Sequence, residues 1–262
     1  MQTNIDTALQ SFRRLLEIMD ELREKCPWDR EQTFESLRTL TIEETYELAD
    51  AIAKENPQSI KKELGDILLH IVFYAKIGSE TGDFTIDQVI DGLSEKLIYR
   101  HPHIFGNDTA NTPQDVKEKW EQLKLKEKGG NKTVLEGVPA ALPAMIKAHR
   151  MQDKARGVGF DWEQREQVWD KVEEELAELK VEIEKEDQAN SEAELGDFLF
   201  SVINAARLYH INPENALEKT NAKFIRRFNY LEQQTIQKGV DLKKMNLDEM
   251  NAIWDEAKAK GL

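Results

Sequence analysis

The chain has 262 residues, 40% hydrophobic and 33% charged, with a formal net charge of −14. That balance supplies a core under an acidic surface and argues against non-specific binding to nucleic acid or to anionic membrane. One cysteine, Cys26, excludes an internal disulfide framework, no apolar run approaches the ~18 residues of a membrane span, and MQTNIDTALQ lacks the regions of a signal peptide, so a soluble cytoplasmic protein is expected.

With only 7 Pro and 13 Gly, long helices are favoured over a turn-rich β fold. Apolar residues at helical spacing predict a first helix through Phe12, Leu15, Leu16, Met19 and Leu22. A second carries Leu40, Tyr46, Leu48 and Ile52 and is broken from the next by Asn56-Pro57. A third runs through Ile60, Leu64, Ile67, Leu68, Ile71 and Val72, with a break expected over residues 78–83. The fourth carries Val89, Leu93 and Leu97, and Pro102 limits it.

The pattern then returns. Helices are expected through Leu142 to His149, Val172 to Ile183, Leu195 to Ile203 and Ala216 to Phe228. Matched positions lie 131 residues apart (Glu47 and Glu178, Asp66 and Asp197), and Cys26-Pro27-Trp28-Asp29 precedes the first copy as Gly159-Phe160-Asp161-Trp162 precedes the second. The chain thus reads as an all-α duplication of a four-helix unit. The copies are placed at 1–130 and 131–262, with loop chemistry over residues 124–143 (Gly129-Gly130-Asn131, Gly137-Val138-Pro139) and a helical segment around Val116 to Glu127 extending the first.

Each copy carries the same acidic signature: Glu43-Glu44-x-x-Glu47 then Glu63-x-x-Asp66, and Glu174-Glu175-x-x-Glu178 then Glu194-x-x-Asp197. Carboxylates three apart share a helix face, and two such helices can build a cage of four. Held together they repel, and a divalent cation removes the repulsion. Oxygen-only ligation selects magnesium or manganese. Acidic pairs on helices are usually solvated surface; here the matched recurrence, and the mid-helix glycines Gly65 and Gly196 that suggest close approach of a backbone or ligand, favour a site.

Lys223 and Arg227, four apart, follow the second cage as Lys96 and Arg100 follow the first; they are candidates for phosphate oxygens, with Lys171 a further cation. Trp254 is a candidate for stacking on a base, against the plainer role of pinning a terminal helix. There is no phosphate-binding P-loop motif, no G-x-G-x-x-G and no Glu-x-x-His pair of a di-iron bundle, and His101 and His103 read as turn residues around Pro102.

EExxE, a spacer, then ExxD on consecutive helices resembles the all-α nucleoside triphosphate pyrophosphohydrolases, and the two-copy arrangement with CPWD and GFDW is similar to the MazG family within them. The resemblance covers nearly the whole chain. It implies magnesium-dependent hydrolysis (manganese a substitute) of nucleoside triphosphates, broad in base, to the monophosphate and pyrophosphate, and dimers of interlocked bundles. It also implies Glu175, Glu178, Glu194 and Asp197 as metal ligands, with Glu44, Glu47, Glu63 and Asp66 a secondary set; Glu174 near the attacking water; Lys171, Lys223 and Arg227 on the phosphates; and Trp254 near the nucleoside. In two-copy members of the family the C-terminal copy is the expected catalytic one, and here the first copy departs after its basic pair, where His101-Pro102-His103 replaces Phe228-Asn229-Tyr230. Two alternatives stay open: a narrower dUTP or phosphoribosyl-ATP pyrophosphatase, and a non-catalytic helical regulatory protein with a vestigial site. A protein regulator is not identified by the sequence.

Overall fold

A computed structural model describes residues 4–127 and 132–262. Gly129-Gly130-Asn131 of the expected linker and the first three residues of the N-terminal reading lie outside them. Among the described residues there are helices and no strands. The chain divides into two compact units, Met1–Thr109 and Ala110–Leu262.

The first unit contains α1 (Ile5–Lys25), α2 (Pro27–Glu31), α3 (Phe34–Ala53), α4 (Pro57–Thr81), α5 (Ile86–Arg100) and α6 (Pro102–Phe105). Thr33 opens α3 with a capping box: its Oγ1 accepts from Ser36 N–H at 3.1 Å and its N–H donates to Ser36 Oγ at 2.9 Å. Asn56 Oδ1 accepts from the N–H groups of Gln58 and Ser59, and Pro57 follows at the first helical position, where its missing N–H costs nothing. α3 and α4 form a helical hairpin, and α1 and α5 pack on α4. Met19, Leu37, Val72, Phe73 and Ile77 are the buried core, walled by Phe12, Leu15, Leu16, Leu40 and Tyr74. Burying such side chains stabilises by about 1.5–3 kcal/mol each.

Two expectations are corrected here. The break expected over residues 78–83 falls later, because α4 continues to Thr81 and Gly82 (φ 76°) ends it in the left-handed region. Gly78 is an interior position: a Cβ there would meet the Phe84 ring at 2.7 Å. His101 and His103 do not form a turn; His101 caps the one-turn helix α6, which holds His103.

The second unit contains α7 (Pro113–Lys126), α8 (Ala144–Arg156), α9 (Val168–Glu184), α10 (Gln188–Leu208), α11 (Pro213–Gln234) and α12 (Leu247–Ala259). α7, which the sequence attached to the first copy, thus falls with the second unit. α9 and α10 form the hairpin that repeats α3 and α4, α8 packs on α10 and α11, and α12 packs on α11. The repeat extends to the turns. Glu55 (φ 52°) and Glu186 (φ 57°) are both left-handed at matched positions, followed by the cap residues Asn56 and Asp187. No helix among the described residues is long and apolar enough to cross a membrane.

Candidate metal and nucleotide site

Each hairpin brings its ExxD pair against its EExxE helix. In the second copy, ligand oxygens of Glu175, Glu194 and Asp197 lie within 4.8 Å of one another. In the first, Glu44, Glu63 and Asp66 do the same. Glu178 lies outside the tight set of three, yet its charge acts on Glu194: burial first, then Glu178, Asp197 and Glu175, push the Glu194 carboxyl above the ordinary glutamate range. Glu44 is raised in the same way, by burial and then by Asp66, Glu47 and Glu63. Its Oε2 is buried without a hydrogen-bond partner among the described residues. A crowded set of carboxylates with an orphaned acceptor fits a hard divalent cation.

A lysine sits in each cage, but from different helices. Lys171 on α9 reaches Glu175 at 2.7 Å and Glu174 at 3.1 Å, and those hydrogen bonds hold its ammonium well above the usual lysine range. In the first copy Lys62 on α4 reaches Glu63 at 3.1 Å, Asp66 at 3.4 Å and Glu47 at 4.0 Å. The positions do not correspond: Leu40 matches Lys171, and Ala193 matches Lys62.

Beside the second cage lies a cavity of about 640 Å³, onto which Lys171, Glu175 and Asp197 open together with Trp162, Phe200 and Asn204. Its wall is braced by Arg207, which donates from Nη1 to Asp161 Oδ2 at 3.1 Å and from Nε to Asn204 Oδ1 at 3.0 Å. The Arg207 side chain is 4% exposed and that of Asp161 19%. Burial raises Asp161, but its bonds to Arg207 and to the Trp162 N–H outweigh it and leave the carboxyl below the usual aspartate range.

The two chain-terminal candidates meet each other. The Arg227 guanidinium lies 5.9 Å from the centre of the Trp254 ring, which tilts against Phe224 at 5.1 Å. Arg227 Nε also donates to the Leu262 carbonyl at 2.7 Å. Lys223, on the same helix, is partly buried and makes no hydrogen bond or ion pair among the described residues. No hydrogen bond or ion pair among those residues ties Lys223 or Arg227 to the second cage.

A family model for the MazG nucleotide pyrophosphohydrolase domain matches residues 32–105 and again residues 163–231, the two stretches that hold the cages. The chain belongs to the MazG family. It is 44% identical over 250 residues to the Thermotoga maritima protein named nucleoside triphosphate pyrophosphohydrolase/pyrophosphatase MazG, over 94% of this chain and 95% of that one. It is 40% identical over 252 residues to the Escherichia coli K12 nucleoside triphosphate pyrophosphohydrolase, over 94% and 96%. An uncharacterized Bacillus subtilis protein, YabN, is 45% identical over 251 residues, which are 94% of this chain and 51% of that one.

Within this MazG chain, several site features were not evident from the sequence. Lys62, Asn204 and the Asp161–Arg207 brace carry no motif, and the brace spans 46 residues. Gly159-Phe160-Asp161-Trp162 was visible only as a repeat marker, although three of its four residues line the cavity. The mid-helix glycines are not explained by this chain: a Cβ on Gly65 or Gly196 would meet nothing within 4 Å.

Proposed function

We propose that the protein hydrolyses nucleoside triphosphates, over a broad range of bases, to the monophosphate and pyrophosphate, and that the C-terminal copy performs the reaction. One observation carries this reading: the Glu175, Glu194 and Asp197 cage opens onto a cavity of ligand size. The names of the T. maritima and E. coli relatives support the activity.

Glu175, Glu178, Glu194 and Asp197 would hold magnesium, or manganese in its place. When bound, such an ion neutralises phosphate charge and lowers the pKa of coordinated water. Glu174 is the base we assign to the attacking water. The water oxygen bonds to the α-phosphorus, the bond from that phosphorus to the α–β bridging oxygen breaks, and pyrophosphate leaves with the electron pair. Glu174, whose carboxylate is held by Lys171 at 3.1 Å, would take the proton of the attacking water directly. Lys171, Lys223 and Arg227 stabilise charge on the phosphate oxygens, and Trp254, which carries Arg227 on its ring, lies toward the nucleoside.

The protein also works as a dimer in this reading. α5 buries no side chain within its own unit, and Val89, Ile90, Leu93 and Leu97 are exposed on it, as are Leu195, Leu199 and Val202 on α10. Apolar faces of that extent favour a partner helix over water. Incubation with magnesium and a panel of nucleotides, reading pyrophosphate against orthophosphate, tests the reaction. Release from many bases supports the broad reading, release from dUTP or phosphoribosyl-ATP alone the narrow one, and no release a non-catalytic protein.

A further inference from the structure

We infer that the Gly261–Leu262 turn after α12 is a positioning device for Arg227: its backbone carbonyl fixes the guanidinium so that the unused edge is held ready for phosphate oxygens. This rests on the hydrolase reading above, which puts Arg227 on the phosphates, and extends it to residues that act through Arg227 without touching the substrate.

Arg227 is partly buried on α11 and is held twice from α12 and the turn that follows it. Its Nε donates to the Leu262 carbonyl at 2.7 Å. Its guanidinium carbon lies 5.9 Å from the centre of the Trp254 ring, and that ring is itself fixed against Phe224, which stacks on Phe228 at 6.0 Å. The ring restrains the guanidinium plane. The Nε bond restrains rotation within that plane. Neither Nη nitrogen makes a hydrogen bond or ion pair among the described residues. With Nε taken, the two Nη groups are the fork that remains for bidentate contact with a phosphate. An arginine side chain carries about 2 kcal/mol of rotamer entropy, and a guanidinium ordered in advance loses less of it on binding.

The turn is built by backbone geometry. Gly261 is left-handed at φ 77°. Its N–H donates to the Lys258 carbonyl at 3.0 Å, and the Leu262 N–H donates to the Ala257 carbonyl at 3.1 Å. This closes α12 and folds the chain back toward α11. A Cβ at Gly261 would meet nothing within 4 Å, so the position requires glycine for its φ and not for space.

Docking of α12 uses different atoms. Tyr230 Oη on α11 donates to Glu256 Oε1 at 2.7 Å, and Lys260 Nζ reaches the same oxygen at 2.8 Å. Lys260 also pairs with Tyr230 Oη and lies 4.5 Å from the centre of the Tyr230 ring. Tyr230, Leu231 and Ala257 are buried. Tyr230 therefore helps to hold the helix, while Leu262 holds the arginine, and the two roles can be separated by substitution. The arrangement belongs to the second copy. α5 ends at Arg100 itself, so the helical turn that carries Tyr230 and Leu231 beyond Arg227 has no counterpart in α5.

The experiment moves the carbonyl and leaves Arg227 in place. Gly261→Val in the full chain puts a β-branched residue where φ is positive and should swing Leu262 away. KM for nucleoside triphosphates and the inhibition constant of inorganic tripolyphosphate should both rise about 3- to 10-fold, with kcat within about twofold, because a contact to phosphate present before the reaction is weakened. Calorimetric binding of Mn²⁺ alone should stay within about twofold. In an Arg227→Lys background the same Gly261→Val change should have no further effect, since lysine has no Nε–H for Leu262 to hold. Tyr230→Phe should lower the thermal midpoint and leave KM within about twofold. Unchanged KM in Gly261→Val overturns the assignment, as do effects of Gly261→Val and Arg227→Lys that multiply, or a rise in KM in Tyr230→Phe as large as that in Gly261→Val. If Gly261→Val does not fold, deletion of Gly261 and Leu262 removes the same acceptor, and the same outcomes decide. If the wild-type protein releases no pyrophosphate, the hydrolase reading fails separately. Calorimetric binding of tripolyphosphate with Mn²⁺ then decides the positioning role: weaker binding in Gly261→Val only when Arg227 is present supports it, and equal binding overturns it.

Discussion

Lys171 Nζ lies 2.7 Å from Glu175 Oε1, so the cage of the second copy is neutralised from within by a cation one helical turn away. A bound metal ion and Lys171 compete for the same carboxylate. Lys171→Ala should therefore tighten Mn²⁺ binding by about 3- to 10-fold, the scale of a lost charged hydrogen bond at a partly exposed site. The same change should lower kcat/KM, because the lysine is then missing from the phosphates. Calorimetry with Mn²⁺ and steady-state pyrophosphate release check the two effects, and unchanged metal affinity would contradict the competition.

The Asp161–Arg207 brace gives a pH dependence. Asp161 titrates below its unfolded value of about 3.9, so its stabilisation is present above that value and is lost as pH falls through the lower, folded one. Asp161→Asn should flatten the acid limb of the stability curve below about pH 4 and cost on the order of 2–4 kcal/mol at neutral pH by leaving Arg207 buried with one charge partner fewer. Denaturation midpoints from pH 3 to 7 measure both.

Gly78 separates packing from propensity. Ala is the better helix former by about 1 kcal/mol, yet its Cβ would strike the Phe84 ring. Gly78→Ala should destabilise by about 1–3 kcal/mol. A Cβ on Gly196 meets nothing within 4 Å among the described residues, so Gly196→Ala carries no such penalty in a monomer. Thermal melts of the two variants compare them.

Dimerisation predicts twice the chain mass in sedimentation. Leu93→Glu places a charge among the exposed apolar residues of α5 and should shift the protein toward monomer, while a dimer as tight as wild type would remove α5 from the interface.

Much of this architecture was legible in the sequence because helices announce themselves locally. The 3.6-residue periodicity located the α3–α4 and α9–α10 hairpins, and Asn56-Pro57 marked a helix start through cap chemistry. The carboxylates were legible because i,i+3 spacing is a local rule and ELGD occurs twice. Gly78 was misread because a glycine in a helix and a glycine ending one look alike until Phe84 is placed. The Asp161–Arg207 brace and the Gln152 contact to Phe200 join residues 46 and 48 apart, and no local pattern encodes such a meeting. The difference between the copies was sought after Arg100, where α5 does end while α11 continues to Gln234.

The central claim is that the second cage, and not the first, supports release of pyrophosphate. Glu175→Gln and Glu44→Gln are matched substitutions in the two cages, and each is compared with wild type for pyrophosphate released from a nucleoside triphosphate with magnesium, after helicity confirms folding. Loss of a metal ligand in the working site should lower kcat by about 100-fold or more in Glu175→Gln. Glu44→Gln should stay within about threefold of wild type. Equal losses in the two variants, or orthophosphate in place of pyrophosphate, would contradict the account.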